Sequence, residues 1–165
     1  MSDSFGSILL LLLLIVVNGI FAMTETAVVS VRKARLQNEV EKGNKKARTA
    51  LELYDNPNDF FSTIQIVITL VGIINGAIGA SAFSEPVAVL LSKVSFLAPA
   101  AETLAFLLVS LIITYFSLVI GELVPKRLAI SYPEKISMQM AGIMLTLSKL
   151  TSPLVKLLGW STRVE

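Results

Sequence analysis

Three long stretches without a charged residue restrict this chain to folds that can lie in a lipid bilayer. They are Ser4–Thr24, Phe60–Phe83 and Thr103–Ile120. A helix needs about 20 apolar residues to cross the hydrocarbon core, and each stretch is close to that length. Apolar residues make up 54% of the chain and charged residues only 16%, which does not fit an ordinary soluble domain. The sequence therefore predicts an all-α integral membrane protein with three transmembrane helices, at about residues 4–30, 60–83 and 103–122.

Positive charge is concentrated between the first two spans. Seven of the 14 Lys and Arg residues lie between Arg32 and Arg48, whereas only Lys93 lies between the second and third spans. Because cytoplasmic loops carry the excess of basic residues, we expect residues 31–59 to form a cytoplasmic hairpin. The N-terminus then lies outside and the C-terminus in the cytoplasm, in a multi-pass protein of the plasma or inner membrane.

The segments outside the spans also carry local signals. Within the hairpin, residues 34–54 have helical character, and residues 55–59 are typical of a turn and a helix N-cap. Ser84-Glu85-Pro86 predicts a break after the second span, followed by a short outer helix over residues 87–96. Residues 134–160 are apolar but contain two lysines and a proline, so we expect one or two amphipathic helices on the cytoplasmic membrane surface. Residues 1–165 are thus predicted to form one membrane domain, belonging to a longer protein.

The composition excludes several classes of function. The chain contains no Cys and no His, so thiol chemistry, imidazole bases and the usual zinc ligands are absent. Any bound metal must be held by oxygen, which favours hard cations such as Mg²⁺, Ca²⁺ or Na⁺. The net charge of +2 is small and clustered, so nucleic acid is not expected as a partner. Without a nucleophile–base arrangement, we expect no enzyme activity.

The segment Gly121-Glu122-Leu123-Val124-Pro125-Lys126 ends the third span. A carboxylate at Glu122 is costly at membrane depth unless it faces protein, water or an ion. Pro125 lacks the N–H that would bond to the carbonyl of Gly121 in a helix, and Gly121 allows another backbone or a ligand to approach closely. These features indicate a cation site. A helix end anchored by Lys126 and Arg127, with Glu122 reaching to water, explains the same residues.

Other polar groups in the spans could join such a site. Glu25 and Glu122 both lie near the predicted cytoplasmic ends of their helices, so we expect them to meet in one inward-facing cavity. Paired acids suit a Mg²⁺ or Na⁺ site, and they equally suit a proton-linked carboxyl pair. In the second span, helical spacing places the following residues on one face, with Asn75 beside it: Gln65, Thr69, Gly72, Gly76 and Gly79. This face favours helix packing, or it lines an ion path as well.

Three motifs resemble the CorC/CNNM family of Mg²⁺ transporters, formerly described as hemolysin-like proteins. The first is Phe21-Ala22-Met23-Thr24-Glu25-Thr26-Ala27, similar to the family's Phe-x-x-x-Glu-x-Ala element. The stretch from Phe61 to Gly72 resembles the second family helix. The Gly121–Lys126 segment is similar to the family's Gly-Glu-(hydrophobic)₂-Pro-Lys signature. The resemblance covers nearly the whole chain.

The resemblance implies a dimeric three-span domain with a belt helix, followed by a cytoplasmic CBS-pair domain. It also implies Mg²⁺ export driven by Na⁺ entry, with Glu122 and the backbone at Gly121 facing the ion. The chain departs from the family at Ala22, where Ser is frequent, and near Ile68 and Gly72, where Asn-type ligands are frequent. The alternatives are export of polyamines or other organic cations, and a non-transporting dimeric anchor for cytoplasmic regulatory domains. The candidate metal ligands are Glu122, Gly121, Glu25, Thr24, Gln65, Thr69, Asn75 and Ser117.

Overall fold

The computed structural model describes residues 2–161, and Met1 and residues 162–165 of the predicted domain lie outside the described residues. Across the described residues the chain is helical and contains no strand. The helices are α1 (Ser2–Ser30), α2 (Lys33–Glu41), α3 (Lys45–Asp55), α4 (Pro57–Ser92), α5 (Ala101–Leu118), α6 (Val124–Ser131) and α7 (Pro133–Ser161). A 3₁₀ turn at Ala98–Ala100 precedes α5, and a π-helical segment at Val119–Leu123 joins α5 to α6. The all-α fold class is confirmed.

Three helical segments are long and apolar enough to cross a membrane. They are Phe5–Ser30, Pro57–Ser92 and Ala98–Ser131. Large apolar side chains on these segments are exposed, for example Leu13, Ile73 and Leu111. A soluble protein seldom exposes so much contiguous apolar surface, whereas a bilayer covers it. The prediction of three membrane-spanning helices is confirmed.

Two prolines do not break the helices that contain them. The predicted break at Ser84-Glu85-Pro86, and the separate helix over residues 87–96, are wrong, because α4 continues through Pro86 to Ser92. Likewise, α7 is one helix that passes through Pro153. A proline removes one backbone hydrogen bond but holds φ near the helical value, so flanking turns can keep the helix continuous.

The basic hairpin consists of two helices, α2 and α3, and the helical character predicted over residues 34–54 is confirmed. The chain turns at Gly43, whose φ of +84° is in the left-handed region that favours glycine. Asn44 then caps α3, its side-chain oxygen accepting from the N–H groups of Lys46 (3.0 Å) and Ala47 (3.4 Å). The turn at Gly43 thus ends α2, and the Asn44 cap starts α3.

The helices contribute to two compact units, and the first contains residues 20–68 and 125–165. In this unit α3 packs against α2 and α7. Its apolar core consists of Val28, Val31, Leu36, Ala50, Leu53, Phe60, Ile64, Ala141 and Met144. Polar contacts join the same helices: Lys33 pairs with Asp55 (2.6 Å), Arg35 with Glu134 (2.9 Å), and the hydroxyls of Thr63 and Thr151 lie 2.9 Å apart. The ion pairs are exposed, so the buried core supplies most of the stability.

The second unit contains residues 1–19 and 69–124. On α4 its buried residues include Val71, Asn75 and Gly79, which recur every four residues. Gly79 lies against Ile113, and a Cβ atom at this position would overlap that side chain. Gly72 and Gly76 are exposed, with open space where a Cβ would stand. The predicted small-residue face of α4 is therefore packed within this unit at Gly79 but not at the other two glycines.

Candidate cation-binding site

The Gly121–Lys126 segment forms a change of helical register rather than a simple helix end. Val119–Leu123 is π-helical, and the N–H of Val124 donates to the carbonyl of Val119, five residues back. The α6 helix then continues in the normal register. Single π turns inside α-helices widen the backbone and are frequent at functional sites. Pro125 directly follows this turn and removes a further backbone donor.

The backbone carbonyl of Gly121 is the acceptor that Pro125 deprives of its α-helical partner. The side-chain amide of Asn18 on α1 donates to this carbonyl at 3.1 Å. Gly121 is buried, and a Cβ at this position would lie 3.2 Å from the backbone oxygen of Ile15. The expectation that Gly121 admits another backbone is confirmed, because α1 approaches there. Pro125 has no N–H to donate to the Gly121 carbonyl, and the side-chain amide of Asn18 supplies a donor in its place.

A second asparagine contacts the same helix one turn earlier. The amide nitrogen of Asn75, a buried residue on α4, lies 3.1 Å from the hydroxyl oxygen of Ser117. Ser117 and Gly121 are four residues apart, so they lie on one face of the third span. Asn18 and Asn75 therefore reach the third span at neighbouring turns, within one unit of the structure.

Both asparagines have an amide oxygen with no hydrogen-bond partner. Asn18 Oδ1 and Asn75 Oδ1 are buried atoms without a partner in the part of the chain that the structure describes. The orientation of Asn18 follows from its partner, because a carbonyl can only accept and must face the NH₂ group. Buried polar atoms in native proteins are nearly always satisfied, so each unpaired oxygen calls for an explanation. Amide oxygens are among the ligands that hard cations prefer.

The predicted acids lie in different units. Glu122 is half-buried within the π-helical turn of the second unit, and Glu25 is half-buried on α1 in the first. Among residues 2–161 no group of three or more acidic side chains is close enough to hold a metal ion. A cage made only of carboxylates is thus absent from the described residues. The predicted meeting of Glu25 and Glu122 stays a prediction.

The remaining predicted ligands differ in burial. Thr24 is fully buried, and its hydroxyl donates to the carbonyl of Ile20 on its own helix at 2.7 Å. Gln65 and Thr69 are exposed on α4, whereas Ser117 is half-buried beside Asn75. The structure therefore brings together Asn75, Ser117 and Gly121 from the predicted set. The roles of Thr24, Gln65 and Thr69 as ligands stay predictions.

Asn18 is the site residue that sequence reasoning did not include among the ligands. It shares a helical face with Glu25, but its neighbours in the sequence form no motif around it. A usable signal was nevertheless present: Asn18 is a side-chain amide within an uncharged span, and Pro125 frees a carbonyl in another. Two such groups gain by pairing inside a membrane, where water cannot satisfy them.

Comparison with known proteins assigns the family. The family model of the cyclin M transmembrane N-terminal domain (CNNM) matches residues 8–164. The chain belongs to this family. The resemblance inferred from the three motifs is confirmed, and the π-helical turn, Asn18 and Asn75 can be described as features of a CNNM domain.

Individual relatives extend this picture. The chain is 49% identical over 149 residues to the UPF0053 protein sll0260 of Synechocystis, covering 90% of this chain and 33% of that protein. It is 35% identical over 145 residues to the polyamine export protein of Haemophilus influenzae, covering 86% of this chain and 33% of the relative. It is 32% identical over 150 residues to the polyamine export protein of Escherichia coli K12, covering 91% and 33%. The chain spans about a third of the length of these curated relatives.

Proposed function

We propose that this domain exports cations across the membrane, with Mg²⁺ as the substrate and Na⁺ entry as the driving gradient. The observation that carries the proposal is the pair of buried, unpartnered amide oxygens on Asn18 and Asn75. Both asparagines contact the third span beside the half-buried Glu122. Mg²⁺ sites keep several waters and use few protein oxygens, so two amides and the Glu122 carboxylate are sufficient.

The backbone around Gly121 supports the proposal. The π-helical turn and Pro125 interrupt the regular α-helical hydrogen-bond pattern next to Glu122. Irregular backbone at membrane depth is tolerated where it is buried in protein or lines a cavity. In our proposal, Asn18 holds the turn in place through the Gly121 carbonyl while its own oxygen faces the ion.

Polyamine export is the second candidate, and the names of two relatives favour it. Amide and carboxylate oxygens accept hydrogen bonds from ammonium groups as well as they coordinate a hard cation. The absence of a group of three acids among residues 2–161 is also easier to reconcile with an organic cation than with tight metal binding.

A non-transporting membrane anchor is the alternative from a different class. It requires a well-packed interior in which polar groups satisfy one another. Two buried amide oxygens without partners in the described part of the chain count against such an interior. We therefore place this alternative behind both transport functions.

We propose that the protein acts as a homodimer, with the N-terminus outside and the C-terminus in the cytoplasm. Gly72 and Gly76 support the dimer, because both leave open space that a second helix could fill. The relatives are about three times as long as the matched region, consistent with a CBS-pair domain in the whole protein. Gly76→Leu should weaken dimerisation in light-scattering measurements. Unchanged dimerisation would show that this face of α4 does not lie in the dimer interface.

The proposal is tested by cation flux in proteoliposomes. We expect Mg²⁺ flux to require an opposing Na⁺ gradient and to be lost in Glu122→Gln, which keeps the shape of the side chain but removes its charge. Glu41→Gln, an exposed acid on α2, is the matched control and should retain flux. Spermidine flux that depends on Glu122, without any Mg²⁺ flux, would select the second candidate. A folded protein that transports neither cation would leave the non-transporting membrane anchor as the remaining candidate function.

A further inference from the structure

A groove between α3 and α7 combines basic and apolar side chains. It lies within the first unit and has a volume of about 610 Å³. Its walls include Lys45 and Lys46 from α3, and Met138, Ile143 and Leu147 from α7. No acidic side chain is among the residues that line this groove in the described part of the chain. The groove is therefore positively charged along one helix and apolar along the other.

The two lysines of the groove have no acidic partner. Lys45 and Lys46 are exposed, and neither forms an ion pair with another residue in the range 2–161. Other basic residues of the same hairpin do form such pairs, namely Lys33, Arg35 and Lys42. Two adjacent positive charges that no described carboxylate neutralises favour an anionic ligand.

The apolar wall of the groove continues along α7 as a row of exposed side chains. Ile143, Leu150, Leu154 and Leu157 are each at least half exposed. Together with Leu147 they recur at steps of four, three, four and three residues, so they share one face of the helix. The opposite face of α7 supplies part of the buried core of the first unit. Such a row is covered by hydrocarbon when an amphipathic helix lies at a membrane surface.

A ligand that is anionic at one end and hydrocarbon at the other matches both walls. A free phosphate would meet Lys45 and Lys46 but would leave the apolar row of α7 uncovered. A zwitterionic lipid would cover the row, but its own positive charge would oppose the two lysines. We propose that the groove binds an anionic phospholipid, with the phosphate held by Lys45 and Lys46 and an acyl chain lying along Ile143 and Leu147. Basic pockets beside membrane helices bind anionic headgroups in this way.

Lipid binding at this groove is independent of the proposed transport function and of its substrate. The α3 and α7 helices carry none of the residues of the candidate cation site around Gly121. The groove belongs to the basic hairpin, which the charge distribution predicts to be cytoplasmic. Anionic lipids give the cytoplasmic leaflet its negative surface potential, so the ligand is present on that side. A bound lipid would link the hairpin to α7.

Native mass spectrometry of the purified chain in detergent micelles tests the proposal. The probes are phosphatidylglycerol and phosphatidylcholine with identical acyl chains, and we expect phosphatidylglycerol to bind at least about tenfold more tightly. Lys45→Gln/Lys46→Gln should weaken phosphatidylglycerol binding by at least about tenfold, because each lysine near a membrane surface contributes a factor of about five. Arg32→Gln/Arg48→Gln removes the same charge from the hairpin outside the groove and should change the affinity by less than about twofold. All four side chains are exposed, so circular dichroism should show intact folding.

A second variant tests the apolar wall. Ile143→Ser should weaken phosphatidylglycerol binding by about threefold to tenfold, because it removes an apolar contact with the acyl chain. Leu111→Ser, an exposed position on α5 in the second unit, is the matched control and should leave the affinity unchanged.

Three results would overturn the inference. One is equal affinity for phosphatidylglycerol and phosphatidylcholine. Another is an affinity of Lys45→Gln/Lys46→Gln that is no lower than that of the charge-matched control. The third is binding of glycerol 3-phosphate, which has no acyl chain, as tightly as phosphatidylglycerol, because the groove would then recognise a free phosphate and not a lipid.

Discussion

The side-chain amide of Asn18 donates to the backbone carbonyl of Gly121 across 3.1 Å, joining the first span to the third at a point where Pro125 has removed the helical donor. A backbone carbonyl without a hydrogen-bond partner in a bilayer has a free-energy cost of several kcal/mol, because water cannot reach it. The pairing therefore stabilises an irregular backbone that an isolated helix would not keep. It also fixes which end of the Asn18 amide faces the carbonyl and which end is left for a ligand.

Replacing Asn18 by Leu should destabilise the protein. The substitution keeps a similar volume but removes the donor, so the Gly121 carbonyl loses its side-chain partner at a cost of about 1–3 kcal/mol. The measurement is the midpoint of denaturant unfolding in mixed micelles. Asn38→Leu, at an exposed position on α2, is the matched control and should leave the midpoint nearly unchanged. Equal midpoints for the two variants would contradict a structural role for the amide.

Gly121→Ala tests how closely α1 approaches the third span. The added Cβ would lie 3.2 Å from the backbone oxygen of Ile15, which cannot move without shifting α1. We expect a loss of stability and a longer or broken contact with Asn18, even though Ala is favoured over Gly in helices by up to about 1 kcal/mol. Gly142→Ala on α7 has open space around the new atom and should be neutral or stabilising. The comparison is made by thermal unfolding. Stabilisation by both variants would show that the close approach is absent in the membrane.

The contact between Asn75 and Ser117 should matter more for cation affinity than for stability. Ser117→Ala removes one partner of the Asn75 amide, and we expect the side chain to lose its fixed orientation toward the ligand. The KM of cation flux should rise several-fold in this variant. Thr114→Ala, at an exposed position one turn earlier on α5, should not change the KM. A double-mutant cycle with Asn75→Ala measures the coupling directly, and additive effects would show that the two residues act independently.

Much of the architecture could be predicted from hydrophobicity and charge. The lengths of the three uncharged stretches predicted the spans, because each stretch is close to the length that a helix needs to cross the hydrocarbon core of a bilayer. The effect of Pro86 was predicted wrongly, since a proline costs one hydrogen bond and the flanking turns can outweigh that loss. Local sequence rules treat proline as a breaker and do not weigh it against the rest of a long helix.

The site was predictable only in part. The motif around Gly121 indicated a special backbone, and periodicity placed Asn75 beside the polar face of α4. Periodicity could not say which face would be buried, and the structure buries Asn75 while exposing Gln65 and Thr69. The burial of a face depends on which helices pack together. Asn18 was not among the predicted ligands for the same reason. Its partner, Gly121, is 103 residues away in the sequence.

Pro125→Ala tests whether the interrupted backbone serves transport. The alanine restores an N–H that can bond to the Gly121 carbonyl, so the helix can return to the α register without Asn18. We expect unchanged or increased thermal stability together with a loss of cation flux, because the turn that presents Glu122 would straighten. Pro153→Ala in α7 also restores a helical donor and should raise stability without reducing flux. If Pro125→Ala transports normally while a structure of the variant shows a regular α-helix, the π-helical turn is not needed for transport.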